Sequence, residues 1–265
     1  MGKFDGYLLC SDIDGTLITS DHRVTKENLI AINYFKKEGG IFALATGRAP
    51  QSVNMLLNEV RSNAPMIVQN GAGIYDFSAQ KYIWSDTLDT GVYDAVKYLY
   101  DNFPDAGIEI NTLSEIYVSR ENYYTEKHRQ DEHLPYLVKN YTEIDEPIMK
   151  ILTSQDEEYT YEIEKGMRNT PFYDKYKLVV SSANYFEVLK KGVNKGSALK
   201  ELARILNIDM SKTIAIGDND NDVEMINIAH IGATVANASP KAKECADIIV
   251  ASNNESAIAD LISRL

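Results

Sequence analysis

Cysteine, tryptophan and long apolar runs are scarce in this sequence of 265 residues. Only Cys10 and Cys245 are present, which are too few for a disulfide framework, and we expect both to be small core residues in a reducing cytoplasm. No stretch approaches the about 18 apolar residues of a membrane span, and the N-terminus lacks the basic-then-apolar pattern of a signal peptide. These shortages argue against a secreted or membrane-spanning protein.

Positive charge is also in short supply. Asp and Glu number 39 against 27 Lys and Arg, which gives a formal net charge of −12. A field of this sign repels nucleic acids and anionic lipids, so neither is an expected partner. An anionic ligand can therefore bind only where a metal ion or local cations offset the field.

Both ends of the chain alternate short apolar runs with amphipathic segments, which predicts a parallel sheet flanked by helices. The predicted strands are 7–10, 41–45, 66–68, 213–216, 231–235 and 247–250. The predicted helices are 25–38 with Thr25 as its cap, one after Arg48 with Pro50 in its first turn, 195–206, 222–228, 240–245 and 255–265. The predicted fold class is therefore α/β, with a Rossmann-like parallel-sheet core.

The middle of the chain has a different pattern and holds most of the tyrosines. Its predicted strands are 108–110, 117–118, 149–152 and 177–180, and its predicted helices are 93–102 and 157–168. An independent set of elements between two halves of a sheet suggests an inserted α+β domain. We expect a core of residues 1–83 and 186–265 and an inserted domain of residues 84–185, whose tyrosines serve core packing or form a stacking surface for a ring or sugar.

Two aspartates follow the first predicted strand, in the sequence Asp12-Ile13-Asp14-Gly15-Thr16. Open parallel sheets bind ligands at this end of their strands, and alternation in an extended segment points Asp12 and Asp14 roughly the same way. The structural alternative is a turn in which Asp and Gly supply local hydrogen bonds and positive φ.

A second acidic cluster, Gly217-Asp218-Asn219-Asp220-Asn221-Asp222, follows the strand predicted at 213–216. Two carboxylate clusters at neighbouring strand ends can share one Mg²⁺, which prefers oxygen ligands and retains several waters. An EF-hand calcium loop is the alternative, but this run lacks Gly at its sixth position and has Ala229 instead of Glu at its twelfth.

Two further stretches could bind an anion. Thr46-Gly47-Arg48 ends the second predicted strand, where a hydroxyl and backbone N–H groups can hold a phosphate, although Thr46 could also be a simple helix cap. Lys195 begins a predicted helix, where a cation opposes the helix dipole; this mild cost hints at a function, and the alternative is a solvated lysine.

Taken together, the sequences at 12–16, 46–48, 192–196 and 217–222 resemble the four motifs of the haloacid dehalogenase superfamily in order and spacing. The long insertion between the second and third motifs, and Asn70-Gly71-Ala72 after the third strand, are similar to the Cof-type branch, which has a large α/β cap. The resemblance spans essentially the whole chain.

The resemblance implies a magnesium-dependent phosphatase. Asp12 would attack phosphorus to form an aspartyl phosphate, and Asp14 would act as general acid and then general base. Asp12, the Asp14 carbonyl and Asp218 would hold Mg²⁺.

The remaining motif residues would support this centre. Thr46, Gly47 and Lys195 would bind the transferring phosphoryl oxygens. Asn221 would touch phosphate or a metal-bound water, and Asp222 would act indirectly by orienting such a water or Lys195.

The implied substrate is a small phosphorylated metabolite, such as a sugar phosphate. Arg48, Asn70 and Lys150 are candidate selectors, and Lys150 could equally be an exposed strand residue. A phosphomutase shares this chemistry, but the sequence shows no second anion site. A non-catalytic phospho-ligand sensor would not need Asp14, and a dehalogenase would not need the acidic cluster at 217–222.

Overall fold

A computed structural model describes residues 2–53, 60–132 and 134–265 of the chain. The chain divides into two compact units, Met1–Trp84 with Asn194–Leu265, and Ser85–Val193. The sequence places the second boundary at 185, eight residues earlier. The difference arises because the strand Tyr185–Lys190 pairs with Ile148–Ser154 inside the second unit.

The described residues contain fourteen strands and ten α-helices, numbered in chain order. The strands are β1 (Leu8–Ser11), β2 (Ile41–Leu44), β3 (Met66–Val68), β4 (Gly73–Asp76), β5 (Lys81–Ser85), β6 (Gly107–Thr112), β7 (Ile116–Arg120), β8 (Leu137–Val138), β9 (Ile148–Ser154), β10 (Tyr176–Ser182), β11 (Tyr185–Lys190), β12 (Thr213–Gly217), β13 (Ile231–Val235) and β14 (Ile248–Val250). The helices are α1 (Lys26–Lys37), α2 (Pro50–Val53), α3 (Val92–Asn102), α4 (Tyr123–Glu132), α5 (Glu157–Arg168), α6 (Phe172–Lys175), α7 (Lys195–Ile205), α8 (Val223–Ile228), α9 (Pro240–Cys245) and α10 (Ala257–Arg264).

The first unit is built on a five-stranded parallel sheet in the order β14-β13-β12-β1-β2. One face packs against α1 and α10 through side chains such as Phe35 and Leu261, and the other against α7 and α8 through Leu199 and Met225. Since both faces are covered, the strands are apolar runs instead of alternating patterns. The prediction of an α/β parallel-sheet core is confirmed.

Helix α1 shows how local signals set the element boundaries. Thr25 is its N-cap, and the Thr25 hydroxyl accepts a hydrogen bond from the backbone N–H of Asn28 at 3.2 Å. Lys36 and Lys37 occupy its last turn, where positive charge complements the helix dipole. The predicted cap is confirmed, and the helix ends one residue before the expected position, with Glu38 as its C-cap.

Strand β3 extends the main sheet only briefly. A parallel bridge joins Ala45 to Ile67, and β3 then pairs with β4 in an antiparallel sheet of order β3-β4-β5. The sequence does not predict the β4-β5 hairpin. Its second strand, β5, lies at the predicted boundary of the insertion. The sequence 69–71, which joins β3 to β4, lies beside the site described below.

The second unit contains a six-stranded sheet in the order β10-β11-β9-β6-β7-β8, antiparallel except for the β7-β8 pair. Side chains of α3 and α5, including Leu99 and Ile163, pack on one face of this sheet. Several of its tyrosines, among them Tyr98 and Tyr176, belong to this apolar packing. The predicted inserted α+β architecture is confirmed.

Candidate active site

The two predicted acidic clusters meet at the carboxyl ends of adjacent strands. Strand β1 pairs with β12 in register, and the backbone N–H of Asp12 donates to the Ile216 carbonyl at 2.9 Å. Asp12, Asp218 and Asp222 each offer a carboxylate oxygen, and these oxygens lie within 4.8 Å of one another. Segments about 200 residues apart in sequence therefore form one group of carboxylates.

Lys195 lies at the centre of this group. Its Nζ is 2.6 Å from Asp12 Oδ1 and 2.7 Å from Asp222 Oδ1, and its side chain is 1% exposed. Burial by itself would lower the pKa of Lys195, but the charges of Asp12 and Asp222 outweigh burial and raise that pKa above its ordinary value. The alternative of a solvated lysine is therefore wrong.

The position of Lys195 follows from the start of α7. Asn194 caps this helix: its side chain accepts from the Ser197 N–H at 2.7 Å, and the Ser197 hydroxyl oxygen accepts from the Asn194 N–H at 3.1 Å. This reciprocal cap fixes the first helical residue, Lys195, so that its side chain extends to the carboxylates.

Asp222 is fully buried and links three parts of the site. Its Oδ1 accepts from Lys195, while its Oδ2 accepts from the backbone N–H groups of Asp218 and Asn219 at 3.0 and 3.1 Å. A Cβ on Gly217 would lie 2.3 Å from Asp222 Cγ, so glycine is needed there. Asp222 thus shapes the loop that presents Asp218 and orients Lys195 at the same time.

Asp218 is held by residues of the first motif. The Thr16 hydroxyl donates to Asp218 Oδ1 at 3.0 Å. Gly15 adopts φ 77°, and a Cβ there would lie 2.4 Å from Asp218 Oδ2. The glycine and threonine of the first motif therefore shape the site around Asp218.

The charge of this group is unbalanced. Asp12, Asp218 and Asp222 carry three negative charges against one positive charge on Lys195, which leaves a formal charge of −2. Burial, and then repulsion from Asp222 among other charges, raises the pKa values of Asp12 and Asp218. An all-oxygen donor set of two buried carboxylates and one partly buried carboxylate, with this surplus charge, fits a divalent cation.

Asp220 does not join the group, which rules out the EF-hand alternative. Its carboxylate accepts from the Ser239 hydroxyl at 2.9 Å and pairs with Lys241 Nζ at 2.5 Å. Alternating aspartates therefore point to different surroundings in this loop, whereas an EF-hand directs them at one ion.

Asp14 lies apart from the three carboxylates and pairs with Arg48. Arg48 Nε and Nη2 each donate to one oxygen of the Asp14 carboxylate at 2.8 Å, and the Asp14 side chain is 46% exposed. The sequence offers Arg48 as a phosphate or substrate ligand and does not predict this bidentate ion pair.

Thr46 and Gly47 form the turn after β2. Thr46 is buried, its hydroxyl oxygen accepts from the Arg48 N–H at 3.1 Å, and its own N–H donates to the Ile67 carbonyl at 2.9 Å. The hydroxyl thus supports the local turn, but Thr46 is not the helix cap of the alternative, because α2 begins at Pro50. This bond leaves the hydroxyl proton available for donation.

Asn221 and Asn70 connect the fourth motif to a loop outside the motifs. Asn221 Nδ2 donates to Asn70 Oδ1 at 2.9 Å. The sequence makes Asn70 a candidate substrate selector and does not predict its contact with Asn221. The Asn70-Gly71 pair signals a turn, but no local pattern indicates a partner 151 residues away.

Lys150 lies in the second unit, in β9, and its Nζ is 3.3 Å from Glu187 Oε1 of β11. Both side chains are buried, so the alternative that Lys150 is an exposed strand residue is wrong.

Both cysteines are free thiols, and burial raises the pKa of Cys10 above its ordinary value. Within the described ranges, no helix has the length and apolar character needed to cross a membrane.

Comparison with known proteins relates this site to a family. The sequence model of the haloacid dehalogenase-like hydrolases matches residues 9–262. In Bacillus subtilis, YxeH is 31% identical over 282 residues, covering 97% of each chain. The phosphatase YwpJ is 28% identical, with coverage of 97% of this chain and 99% of its own. The 5-amino-6-(5-phospho-D-ribitylamino)uracil phosphatase YitU is 26% identical, with coverage of 96% and 95%.

Solved structures show the same fold. TM0651 from Thermotoga maritima has a TM-score of 0.87 at 23% identity, with coverage of 98% of this chain and 97% of that chain. A haloacid dehalogenase-like hydrolase from B. subtilis has a TM-score of 0.81 at 27% identity, with coverage of 98% and 99%. The fold and the site thus define a hydrolase with a parallel-sheet core and an inserted unit.

This chain belongs to the haloacid dehalogenase-like hydrolase family. The resemblance inferred from the four motifs, including the Cof-type branch, is confirmed.

Proposed function

We propose that this hydrolase is a magnesium-dependent phosphatase that cleaves a small phosphomonoester with Asp12 as its nucleophile. The observation that carries the proposal is the group formed by buried Asp12, Lys195 and Asp222 with partly buried Asp218, and its surplus negative charge. Two relatives, YwpJ and YitU, are named as phosphatases, which supports the same reaction class for this protein.

In the proposed first displacement, a carboxylate oxygen of Asp12 attacks phosphorus and the bond from phosphorus to the ester oxygen breaks. This step yields an aspartyl phosphate and an alcohol. Lys195 holds Asp12 Oδ1 at 2.6 Å and so orients the carboxylate and offsets its charge. In the second displacement, water attacks the same phosphorus, inorganic phosphate leaves, and the Asp12 carboxylate is restored.

Asp14 is the proposed acid and base of the two displacements. It donates a proton to the leaving ester oxygen and then accepts a proton from the attacking water. Because Arg48 holds both oxygens of its carboxylate at 2.8 Å, Asp14 has to exchange this partner for the substrate during turnover. The half-exposed position of Asp14 leaves room for that exchange.

The carboxylates of Asp12 and Asp218 and the carbonyl of Asp14 would hold Mg²⁺. When bound, this ion supplies charge neutralisation between the nucleophile and the phosphoryl oxygens. Lys195 and the turn at Thr46 and Gly47 would bind phosphoryl oxygens.

The proposed role of two further residues follows from their contacts. Asp222 holds Lys195 Nζ at 2.7 Å, so it would act on the reaction through Lys195. Asn221 would contact phosphate or a metal-bound water, and its own amide is oriented by Asn70.

The proposed substrate is a sugar phosphate or a similar polyol phosphate, with Arg48 as a proposed selector. The name of YitU specifies a phosphate ester on a ribityl chain, which supports this class. The net charge of −12 supports a small metabolite over nucleic acid or an anionic membrane. A cytoplasmic location stays a prediction from the low cysteine content.

The first test is phosphate release from p-nitrophenyl phosphate with Mg²⁺, with EDTA, and with the variant Asp12→Asn. We expect EDTA to abolish turnover and the substitution to lower kcat by about 10⁴-fold or more, as loss of a nucleophile does. The matched control is Asp220→Asn, an exposed aspartate of the fourth motif that pairs with Lys241, which should retain wild-type turnover. Turnover by Asp12→Asn at the wild-type rate would refute the proposal.

A second test addresses the aspartyl phosphate. Two aryl phosphates with different leaving groups are hydrolysed in the presence of added glycerol, and the ratio of inorganic phosphate to glycerol phosphate is measured. A shared phosphoenzyme gives the same ratio for both substrates, because the leaving group has departed before partitioning. A ratio that depends on the leaving group would show direct attack by water instead.

A further inference from the structure

The loop at 69–71 has an unusual backbone. Gln69, Asn70 and Gly71 have φ values of 51°, 54° and 93°, so three consecutive residues adopt the left-handed conformation. Glycine adopts this conformation freely and asparagine tolerates it, whereas it is sterically unfavourable for glutamine. Strain of this kind persists only where the surrounding structure enforces it, and it is concentrated at functional sites.

The side chain of Gln69 adds a second cost. Gln69 is buried; its Nε2 donates to the Tyr82 hydroxyl at 3.1 Å, but its Oε1 has no hydrogen-bond partner among the described residues. A buried acceptor without a partner destabilises the folded state. The loop is therefore not arranged for maximal stability.

The loop contacts the second motif through its backbone. The N–H of Gln69 donates to the Arg48 carbonyl, and the N–H of Asn70 donates to the Thr46 carbonyl, both at 3.0 Å. A Cβ on Gly47 would lie 2.9 Å from Asn70 Oδ1, so the Asn70 amide packs directly on the backbone of Gly47.

The same loop contacts the third and fourth motifs. A Cβ on Gly71 would lie 2.2 Å from the carbonyl oxygen of Asn194 and 2.9 Å from the nitrogen of Lys195, so the loop backbone packs against the start of α7. On its other side, Asn70 Oδ1 accepts from Asn221 Nδ2 at 2.9 Å. One short left-handed loop thus contacts three of the four motifs.

We infer that Asn70 is a positioning residue for phosphoryl transfer, which aligns Asn221 with the backbone of Gly47. This inference rests on the proposed function, because Gly47 and Asn221 act there on the phosphoryl group. The left-handed backbone directs the Asn70 amide between these two groups, and its strain is the cost of that alignment. Asn70 itself acts through its neighbours and is not a catalytic residue.

The test compares Asn70→Gly with Asn207→Gly. Asn207 is also left-handed, with φ 55°, but it is exposed and lies at the end of α7. Glycine relieves the backbone cost at both positions, while Asn70→Gly also loses the hydrogen bond to Asn221, so we expect both melting temperatures to stay close to that of the wild type. Only Asn70→Gly should lower kcat for p-nitrophenyl phosphate, by about 10-fold to 100-fold with a smaller change in KM, because misalignment acts on the transition state.

The variants Asn221→Ala and Asn70→Gly with Asn221→Ala complete a double-mutant cycle. If Asn70 acts by aligning Asn221, the double variant should lose little more kcat than the more impaired single variant. The inference is overturned if Asn70→Gly keeps the wild-type kcat, if its kcat falls only together with its melting temperature, or if the two losses multiply.

The failure of the proposed function would be seen separately, as absence of turnover by the wild type. In that case the affinity for inorganic phosphate in the presence of Mg²⁺, measured by calorimetry, replaces kcat as the readout. Weaker phosphate binding by Asn70→Gly but not by Asn207→Gly would support the alignment, and equal binding by both would refute it.

Discussion

The two units bury charged side chains in different ways. In the first unit, Asp12, Asp218 and Asp222 face one buried cation, Lys195. In the second unit, the buried carboxylate of Glu187 has a buried lysine as its partner, one charge against one. Because unpaired buried charge is costly, a surplus favours protonation or a cation from outside the chain. The proposed divalent cation would complete the first group, whereas the charges of Lys150 and Glu187 balance each other.

Removal of the buried lysine in the first unit is expected to have the largest effect on stability. Lys195→Met leaves two buried carboxylates without their cation and should cost about 5 kcal/mol, the upper end for broken buried pairs. Mg²⁺ should restore part of the loss, because it neutralises the same carboxylates. Thermal unfolding with Mg²⁺ and with EDTA measures both effects. No response of this variant to Mg²⁺ would contradict the comparison.

The equivalent change in the second unit should destabilise the protein less, and Mg²⁺ should not change the stability of this variant. Lys150→Met removes the cation beside the buried carboxylate of Glu187 and should cost about 3 kcal/mol, with no recovery in Mg²⁺. Adding Glu187→Gln should recover most of the stability, since a neutral pair leaves no buried charge. Lys165→Met, at an exposed lysine of the same unit, is the control and should change the unfolding transition little. A response of Lys150→Met to Mg²⁺ would remove the distinction between the units.

The stabilisation of the intact protein by Mg²⁺ is a further test of the difference between the two units. At about 100 times its Kd, Mg²⁺ should stabilise the wild type by about 2.7 kcal/mol. Asp218→Asn should weaken this stabilisation, whereas Asp220→Asn should not, because Asp220 pairs with Lys241 away from the group. A magnesium titration followed by thermal unfolding gives the three values. Equal responses from all three proteins would place the ion elsewhere.

The smallest effect should be a dependence on pH in EDTA. Burial raises the pKa of Asp12 above the 3.8 of an unperturbed aspartate, so the folded state binds this proton more tightly than the unfolded state. Stability from this group is therefore complete below pH 3.8 and falls as pH rises toward the raised pKa, by at most about 1.4 kcal/mol per pH unit. The difference between the unfolding free energies of wild type and Asp12→Asn isolates the effect. If the unfolding free energy of the wild type rose with pH relative to that of Asp12→Asn, the predicted direction would be wrong.

Much of the first unit could be predicted from the sequence, because its signals are local. Apolar runs set β1 and β12, and helix caps such as Thr25 set helix boundaries within a residue or two. The residues of the four motifs could also be named, since three of them follow strands of the parallel sheet and the third opens α7. Parallel strands bring such positions to one edge, which is why Asp12 and Asp218 could be expected together.

The remaining features depend on long-range contacts that have no local signal. The bidentate pair of Asp14 with Arg48 and the contact of Asn70 with Asn221 join distant segments. The second boundary between the units was misplaced because only pairing in space shows that Tyr185–Lys190 belongs to the inserted sheet. For the same reason, the sequence alone could not show whether the side chain of Lys150 is buried or exposed.

The strand order has a consequence for the synthesis of the protein. Strand β1 is made first, yet its neighbour β12 begins at residue 213, and the loop after it carries Asp218 and Asp222. A nascent chain on the ribosome therefore carries Asp12 long before the residues that complete its surroundings exist. Pairing between such distant strands is slow to form, so the incomplete sheet edge has to be kept from aggregating during translation. The carboxylate group is consequently assembled only after residues 217–222 have been made, and chains truncated before them lack it.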